Sequence, residues 1–195
     1  MSELMDARTL TTRPVVTLGG DAVAHVKDTV FDAAAGHITG FTLSGRGLLS
    51  GPPKQSLPWP GVFALGHDAV MIPGPGVLVD TPAAVARREA LRGRVLGARV
   101  LTDAGTEVGT VLDLVVEGGT SGRVVGFRIA AHRALVPGAR RHRHQVYVPR
   151  GETCAVSGRT LVIPVDATRY VAGDLPGFAA RAGAFFHHSQ KGTPP

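Results

Sequence analysis

Two segments of this chain repeat each other, and the duplication constrains the fold more than any other feature. Residues 15–28 align without a gap on residues 100–113. The offset of about 85 residues is too long for a solenoid unit and suits a small domain. The sequence therefore predicts two copies of one module.

The later blocks of the repeat follow in the same order in both copies, and one residue is inserted in the second copy before the first of them. The aligned pairs are 36–43 with 122–129, 57–60 with 146–149, and 69–73 with 160–164. Four blocks in one order indicate a duplication of the whole module.

Each block has the pattern of a β-strand. Short apolar runs alternate with many of the 26 glycines and 14 prolines, which is typical of short strands joined by tight turns. Gly40 and Gly126, inside the third block, predict a bulge or bend that curls the sheet. We therefore expect an all-β fold.

The second copy carries the residues of a known family. These are Leu96, Gly97, Val100, Asp103, Gly105, Gly109, Val111, Asp113, Gly126 and Phe127, with apolar strands ending at Pro149 and Pro164. In this pattern the chain resembles the PRC-barrel domain. That small β-barrel is shared by the photosynthetic reaction-centre H subunit and the ribosome maturation factor RimM. The first copy is the more degenerate, with Leu18 in place of the acidic turn residue.

The resemblance implies two tandem PRC-like barrels, over residues 13–80 and 93–165. Between them, Thr81 as N-cap, Pro82 at the first helical position and Gly93 as the stop predict a helical linker over 81–92. Residues 166–195 form the tail, in which a short apolar helix is expected near 176–188 and disorder over the last seven residues.

Positive charge is concentrated in the second half of the chain. Residues 1–82 carry 5 basic and 7 acidic side chains, whereas residues 83–195 carry 16 basic and 8 acidic ones. Within the loop from Ala131 to Gln145 we expect a partner-binding set. Its members are Arg133, Arg140, Arg141, His142, Arg143 and His144. Such a loop binds phosphates or an acidic protein surface, or else it is a solvated loop that protects a strand edge.

Family members are generally non-enzymatic adaptors, so the resemblance implies a scaffold that docks on an acidic protein partner or an anionic membrane surface. The alternative is an RNA-linked role on ribosomal particles. A third possibility is a small-molecule or enzymatic function between the barrels. The chain contains no nucleophile elbow, P-loop, dinucleotide fingerprint or His-Glu-x-x-His motif, and we expect no cofactor.

Asp28 and Asp113 occupy equivalent positions on strands whose neighbouring valines face the core. A carboxylate in such a place must either be hydrogen-bonded or be rotated outward by a bulge. We expect structural carboxylates, and the alternative is a protonatable site with a raised pKa.

Trp59 and Tyr147 are aligned beside Pro60 and Pro149. Both rings are expected to pack at the end of a barrel, and an exposed ring would instead be an anchor for a partner.

Cys154, the single cysteine, excludes an intramolecular disulfide framework, and we expect no metal site. The absence of a signal peptide and of a long apolar stretch predicts a cytoplasmic protein.

Overall fold

A computed structural model gives the fold of the chain over eight stretches of sequence. The residues it describes are 3–32, 35–45, 55–80, 95–133, 135–136, 144–151, 155–157 and 159–191. The predicted linker helix over 81–92 and the single cysteine, Cys154, lie outside them.

The first sheet has seven strands. They are β2 (Pro14–Thr17), β3 (Ala22–Asp32), β4 (His37–Ser44), β5 (Gln55–Pro58), β6 (Ala64–Leu65), β7 (Val70–Ile72) and β8 (Val79–Asp80). Their order across the sheet is β6-β7-β2-β3-β4-β5-β8, with β2 and β7 parallel and the other neighbours antiparallel.

The second sheet also has seven strands. They are β1 (Leu4–Asp6), β9 (Arg99–Thr102), β10 (Glu107–Glu117), β11 (Val124–Ala131), β12 (Gln145–Pro149), β13 (Ala155–Ser157) and β14 (Thr160–Ile163). The order is β12-β11-β10-β9-β14-β13, and β1 pairs with β10 outside this path. The chain is therefore mostly β with two sheets, as the sequence predicts. Closure of either sheet into a barrel is not found among the described strand pairs.

Short helices connect and follow the strands. Short 3₁₀ helices span Ala7–Leu10, Trp59–Gly61, Pro75–Val77 and Val165–Tyr170. The α-helix α1 spans Leu175–Lys191, so the last residues of the helix lie where the sequence predicted disorder. Asp174 caps α1, because its Oδ1 accepts the Gly177 N–H at 2.7 Å.

The chain forms two compact units, and their boundaries are not contiguous in sequence. The first unit contains residues 1–92 together with 116–124, and the second contains 93–115 together with 125–195. Nine residues of the predicted module over 93–165 therefore belong to the first unit. They lie at the junction of β10 and β11.

Strand registers in the two sheets follow the offset of the sequence repeat. Val15 pairs with Ala24 in the first sheet, and the equivalent Val100 pairs with Gly109 in the second. The parallel pairs agree as well, since Val15 faces Val70 and Val100 faces Leu161. Equivalent residues therefore have equivalent strand partners.

Both sheets carry the same β-bulge. The register shifts between Val15 and Val16 on one side, and between Glu107 and Gly109 on the other, leave Val23 and Val108 as the extra residues. A second bulge leaves Thr39 extra, directly beside Gly40. The sequence predicted an irregularity at this glycine.

One block of the sequence alignment was wrong by two residues. Phe41 pairs with Leu57, and its equivalent Phe127 pairs with Val148, so Leu57 corresponds to Val148 rather than to Val146. A slip of two preserves the alternation of core-facing and outward side chains along a strand, so the apolar pattern did not reveal it. Tyr147 consequently corresponds to Ser56 and not to a position beside Trp59.

Candidate functional site

The basic loop leaves the second sheet at the end of β11 and returns at the start of β12. Its base is closed by the Ala131 N–H, which donates to the His144 carbonyl at 2.8 Å. The side chains of Arg133 and His144 are exposed there. The other members of the predicted set, Arg140, Arg141, His142 and Arg143, lie outside the described residues.

A carboxylate from a neighbouring strand lies at the base of this loop. Glu107 Oε1 is 3.8 Å from His132 Nδ1, and its Oε2 is 3.8 Å from an Arg99 guanidinium nitrogen. Both distances exceed hydrogen-bond length, and Glu107 is 38 % exposed, so each pair contributes little to stability. The sequence around the loop gave no sign of this acid, because Glu107 lies on β10.

Two further arginines lie near the base of the loop. The Arg99 N–H donates to the Arg159 carbonyl at 2.9 Å, which brings exposed Arg99 on β9 close to exposed Arg159, the residue that precedes β14. We define the basic edge as Arg99, His132, Arg133, His144 and Arg159. Its three arginines are exposed, and exposed guanidinium groups are suited to bind an anionic group.

Asp113 is a buried carboxylate with an arginine beside it. Its side chain is 4 % exposed, its Oδ1 accepts the Leu114 N–H at 2.9 Å, and its Oδ2 is 3.4 Å from an Arg128 guanidinium nitrogen. Arg128 is itself 21 % exposed. This geometry supports the structural interpretation, since a buried charge is retained where it is paired and hydrogen-bonded.

Asp28, at the equivalent position, is less buried than Asp113. The register shifts between Val26 and Asp28, which leaves Lys27 as an extra, exposed residue. Asp28 is half-buried and pairs with Thr42, the residue equivalent to Arg128. The equivalent aspartates therefore face different residues on the neighbouring strand.

Neither predicted aromatic residue is a fully exposed anchor. Tyr147 is buried, its backbone exchanges two hydrogen bonds with Ala172, and its ring centroid is 6.0 Å from that of Phe178. Trp59 is half-buried, with its ring 6.3 Å from that of Phe41. Both rings therefore lie against another aromatic ring of their own unit, and Tyr147 is not an exposed ring.

Sequence reasoning missed Arg13, which is buried within the first unit. Its guanidinium donates to the carbonyls of Gly66 (2.6 Å) and Thr9 (3.0 Å) and to the Thr9 hydroxyl (3.1 Å). Desolvation by burial lowers the pKa of Arg13, and the carboxylates of Asp68 and Glu3 oppose this shift. The equivalent residue is Ala98, so the repeat gave no signal for this contact.

The apolar side chains of α1 pack on the second unit. Phe178, Ala182 and Phe185 recur at helical spacing and are all buried, with Phe178 fully so.

Among the described residues, no helix has both the length and the apolar character to cross a bilayer. The same residues hold no group of three or more His, Cys, Asp or Glu side chains placed to bind a metal ion.

Residues 2–79 match the family model of the PRC-barrel domain. The match covers the copy that we expected to be the more degenerate. A comparison with curated proteins gave no match.

Proposed function

Because residues 2–79 carry a PRC-barrel domain, we propose that this protein is a non-enzymatic adaptor that docks on an acidic protein partner. The observation that carries the proposal is the basic edge of the second unit. There, the side chains of Arg99, Arg133 and Arg159 are exposed, and Glu107 lies 3.8 Å from both Arg99 and His132.

We further propose that the chain is a tandem of two PRC-like barrels, over residues 13–80 and 93–165. Support comes from the equivalent strand partners and the shared bulge at Val23 and Val108. In this arrangement the first copy retains the family pattern and the second supplies the charged docking surface.

An acidic protein surface fits the basic edge better than a lipid bilayer does. The apolar residues that a membrane-bound helix would insert, Phe178 and Phe185, are buried within their own unit. Binding would therefore rest on charge, with arginines forming bidentate pairs to carboxylates. RNA is the second candidate, because the same arginines can neutralise phosphates.

The test is affinity capture of the full-length protein from the cells that produce it, with and without nuclease treatment. We compare the wild type with the variant Arg99→Glu/Arg133→Glu/Arg159→Glu, which reverses the charge of the basic edge. The matched control is Arg169→Glu, because Arg169 is an exposed arginine of the same unit that pairs with Asp166. We expect a stoichiometric protein that survives nuclease, is lost with the triple variant and is retained by the control.

The other outcomes are equally informative. Ribosomal RNA or subunits that disappear with nuclease and with the triple variant would establish the RNA-linked role. Flotation with anionic liposomes that depends on the same arginines would establish a membrane surface as the partner. Capture of the same proteins by the wild type and the triple variant would refute a role for the basic edge.

A further inference from the structure

The first unit is completed by a segment that lies far outside the PRC-barrel match. Residues 116–124, the end of β10, the turn after it and the first residue of β11, belong to the first unit, although the family match ends at residue 79. We name this segment the 116–124 hairpin. Its contacts show what it contributes.

One side of the hairpin extends the edge of the first sheet. The Leu65 N–H donates to the Gly119 carbonyl, and the Gly119 N–H donates to the Leu65 carbonyl, both at 2.8 Å. The Gly118 N–H also donates to the Glu3 carbonyl at 2.8 Å. Leu65 lies on β6, the edge strand, so the hairpin satisfies backbone groups that an open edge would leave unpaired.

The other side of the hairpin bonds to the turn between β3 and β4. The Ile38 N–H donates to the Gly122 carbonyl and the Val124 N–H donates to the Gly36 carbonyl, each at 2.8 Å. Gly36 and Gly122 are equivalent in the repeat, as are Ile38 and Val124. Each copy thus provides the same donor and the same acceptor, and the two bonds are reciprocal.

Side chains also pack on the hairpin and leave no room for larger residues. At Gly122, whose φ is +59°, an added Cβ would overlap the indole of Trp59. At Gly118 it would lie 2.9 Å from both the Leu65 carbonyl oxygen and Met5 Cε. The close approach of the Trp59 indole at Gly122 and of the Leu65 carbonyl at Gly118 favours glycine at both positions.

We infer that Glu3, Gly36, Ile38, Trp59 and Leu65 form a binding surface whose occupant is the 116–124 hairpin of the same chain. The family-matched segment is then not an autonomous domain, and the first unit opens whenever the hairpin leaves. This dependence rests on the backbone groups of the buried residues Ile38, Leu65, Gly118, Gly122 and Val124, because an unpaired N–H or C=O is costly where water does not reach it.

Native-state hydrogen exchange of the full-length protein tests the inference without any substitution. The amides of Ile38, Leu65, Gly119 and Val124 report on the hairpin, and the Val26 amide, bonded to the Arg13 carbonyl at 2.8 Å, reports on the interior of the first sheet. We expect their protection factors to agree within about threefold, as for groups released in one opening event. Hairpin amides that exchange about 100-fold faster than Val26 would overturn the inference.

A substitution sharpens the same test. Gly122→Ala places a methyl group against Trp59 and should accelerate exchange of the Val26 amide by about tenfold or more. Gly74→Ala is the matched control, since Gly74 lies in the same unit, has an extended backbone and has no atom within 4 Å of an added Cβ. Loss of protection at Ile38 and Leu65 alone, with Val26 unchanged, would contradict the inference. If Gly122→Ala fails to fold, the hydrogen-exchange comparison in the wild-type protein alone tests the inference.

Discussion

The two aspartates at equivalent positions of the repeat have the same chemistry and different surroundings. Asp113 is buried against Arg128, whereas Asp28 is half-buried and faces Thr42. One difference on the neighbouring strand separates them, since Arg128 in the second copy stands where the first copy has Thr42. A duplicated backbone therefore does not fix the environment of a side chain, because the residue that faces it can differ between the copies.

A similar contrast concerns what lies over the equivalent glycines of the third block. A Cβ at Gly126 would lie 2.5 Å from Phe178 Cζ, so the ring of Phe178 rests on this glycine. A Cβ at Gly40 would instead meet the backbone of Leu57 and Pro58. Gly126 thus leaves room both for the Phe178 ring of α1 and for the backbone of the neighbouring strand at Val148.

The largest expected effect comes from removing this ring. Phe178→Ala deletes a fully buried aromatic side chain and should lower the free energy of unfolding by about 4 kcal/mol. Urea denaturation followed by far-UV circular dichroism measures the loss. The control is Phe63→Ala in the first unit, because Phe63 is 53 % exposed and its removal should cost less than about 0.5 kcal/mol. Equal losses for the two variants would show that α1 contributes no packing to the second unit.

The aspartate pair supplies the next prediction. Asp113→Ala leaves the guanidinium of Arg128 mostly buried without its carboxylate and should destabilise the protein by about 3 kcal/mol. Asp28→Ala, at the equivalent half-buried position, should cost about 1 kcal/mol or less. Chemical denaturation of both variants gives the comparison.

A double variant separates the ion pair from simple loss of packing. Arg128→Thr installs the residue that the first copy has at this position, and Asp113→Ala/Arg128→Thr should cost about 1 kcal/mol less than the sum of the two single changes. Additive losses would mean that Asp113 and Arg128 do not interact.

A third contrast lies at the turn between the first two strands of each copy. Asp103 Oδ1 accepts the Val165 N–H at 2.9 Å and thereby fixes the chain that follows β14. Its equivalent, Leu18, is 54 % exposed. Asp103→Ala should therefore cost about 1 kcal/mol, the usual value of such a hydrogen bond, and Leu18→Ala close to none. Thermal unfolding compares the two variants, and a larger loss for Leu18→Ala would refute this role of Asp103.

The sequence could predict what depends on periodicity and turn chemistry. The repeat offset anticipated the equivalent strand partners, and Gly40 anticipated the bulge beside it. The two-residue slip over residues 57–60 shows the limit of that information, since alternation alone does not distinguish registers that differ by two.

Partners brought together by the fold were not predictable from one sequence. Glu107 reaches His132 across neighbouring strands, and Arg13 reaches Gly66. Neither contact has a spacing that a local pattern would indicate. The Asp113–Arg128 pair was predictable in part. The sequence pattern indicated that Asp113 needs a hydrogen-bond partner if it is buried, but it did not identify Arg128 as its neighbour.

The last prediction tests backbone strain at one more equivalent pair. Thr12 has a φ of +74° and Gly97 a φ of +78°, and each N–H bonds to a valine carbonyl, that of Val26 or Val111. A β-branched residue is strained in this left-handed region, which glycine adopts freely. Gly97→Ala should therefore cost about 1 to 2 kcal/mol, whereas Thr12→Gly should change stability by less than about 1 kcal/mol. In Thr12→Gly, relief of backbone strain opposes the greater entropy of glycine in the unfolded chain. Urea denaturation measures the change. A loss of stability well above about 1 kcal/mol would mean that the Thr12 side chain itself stabilises the turn.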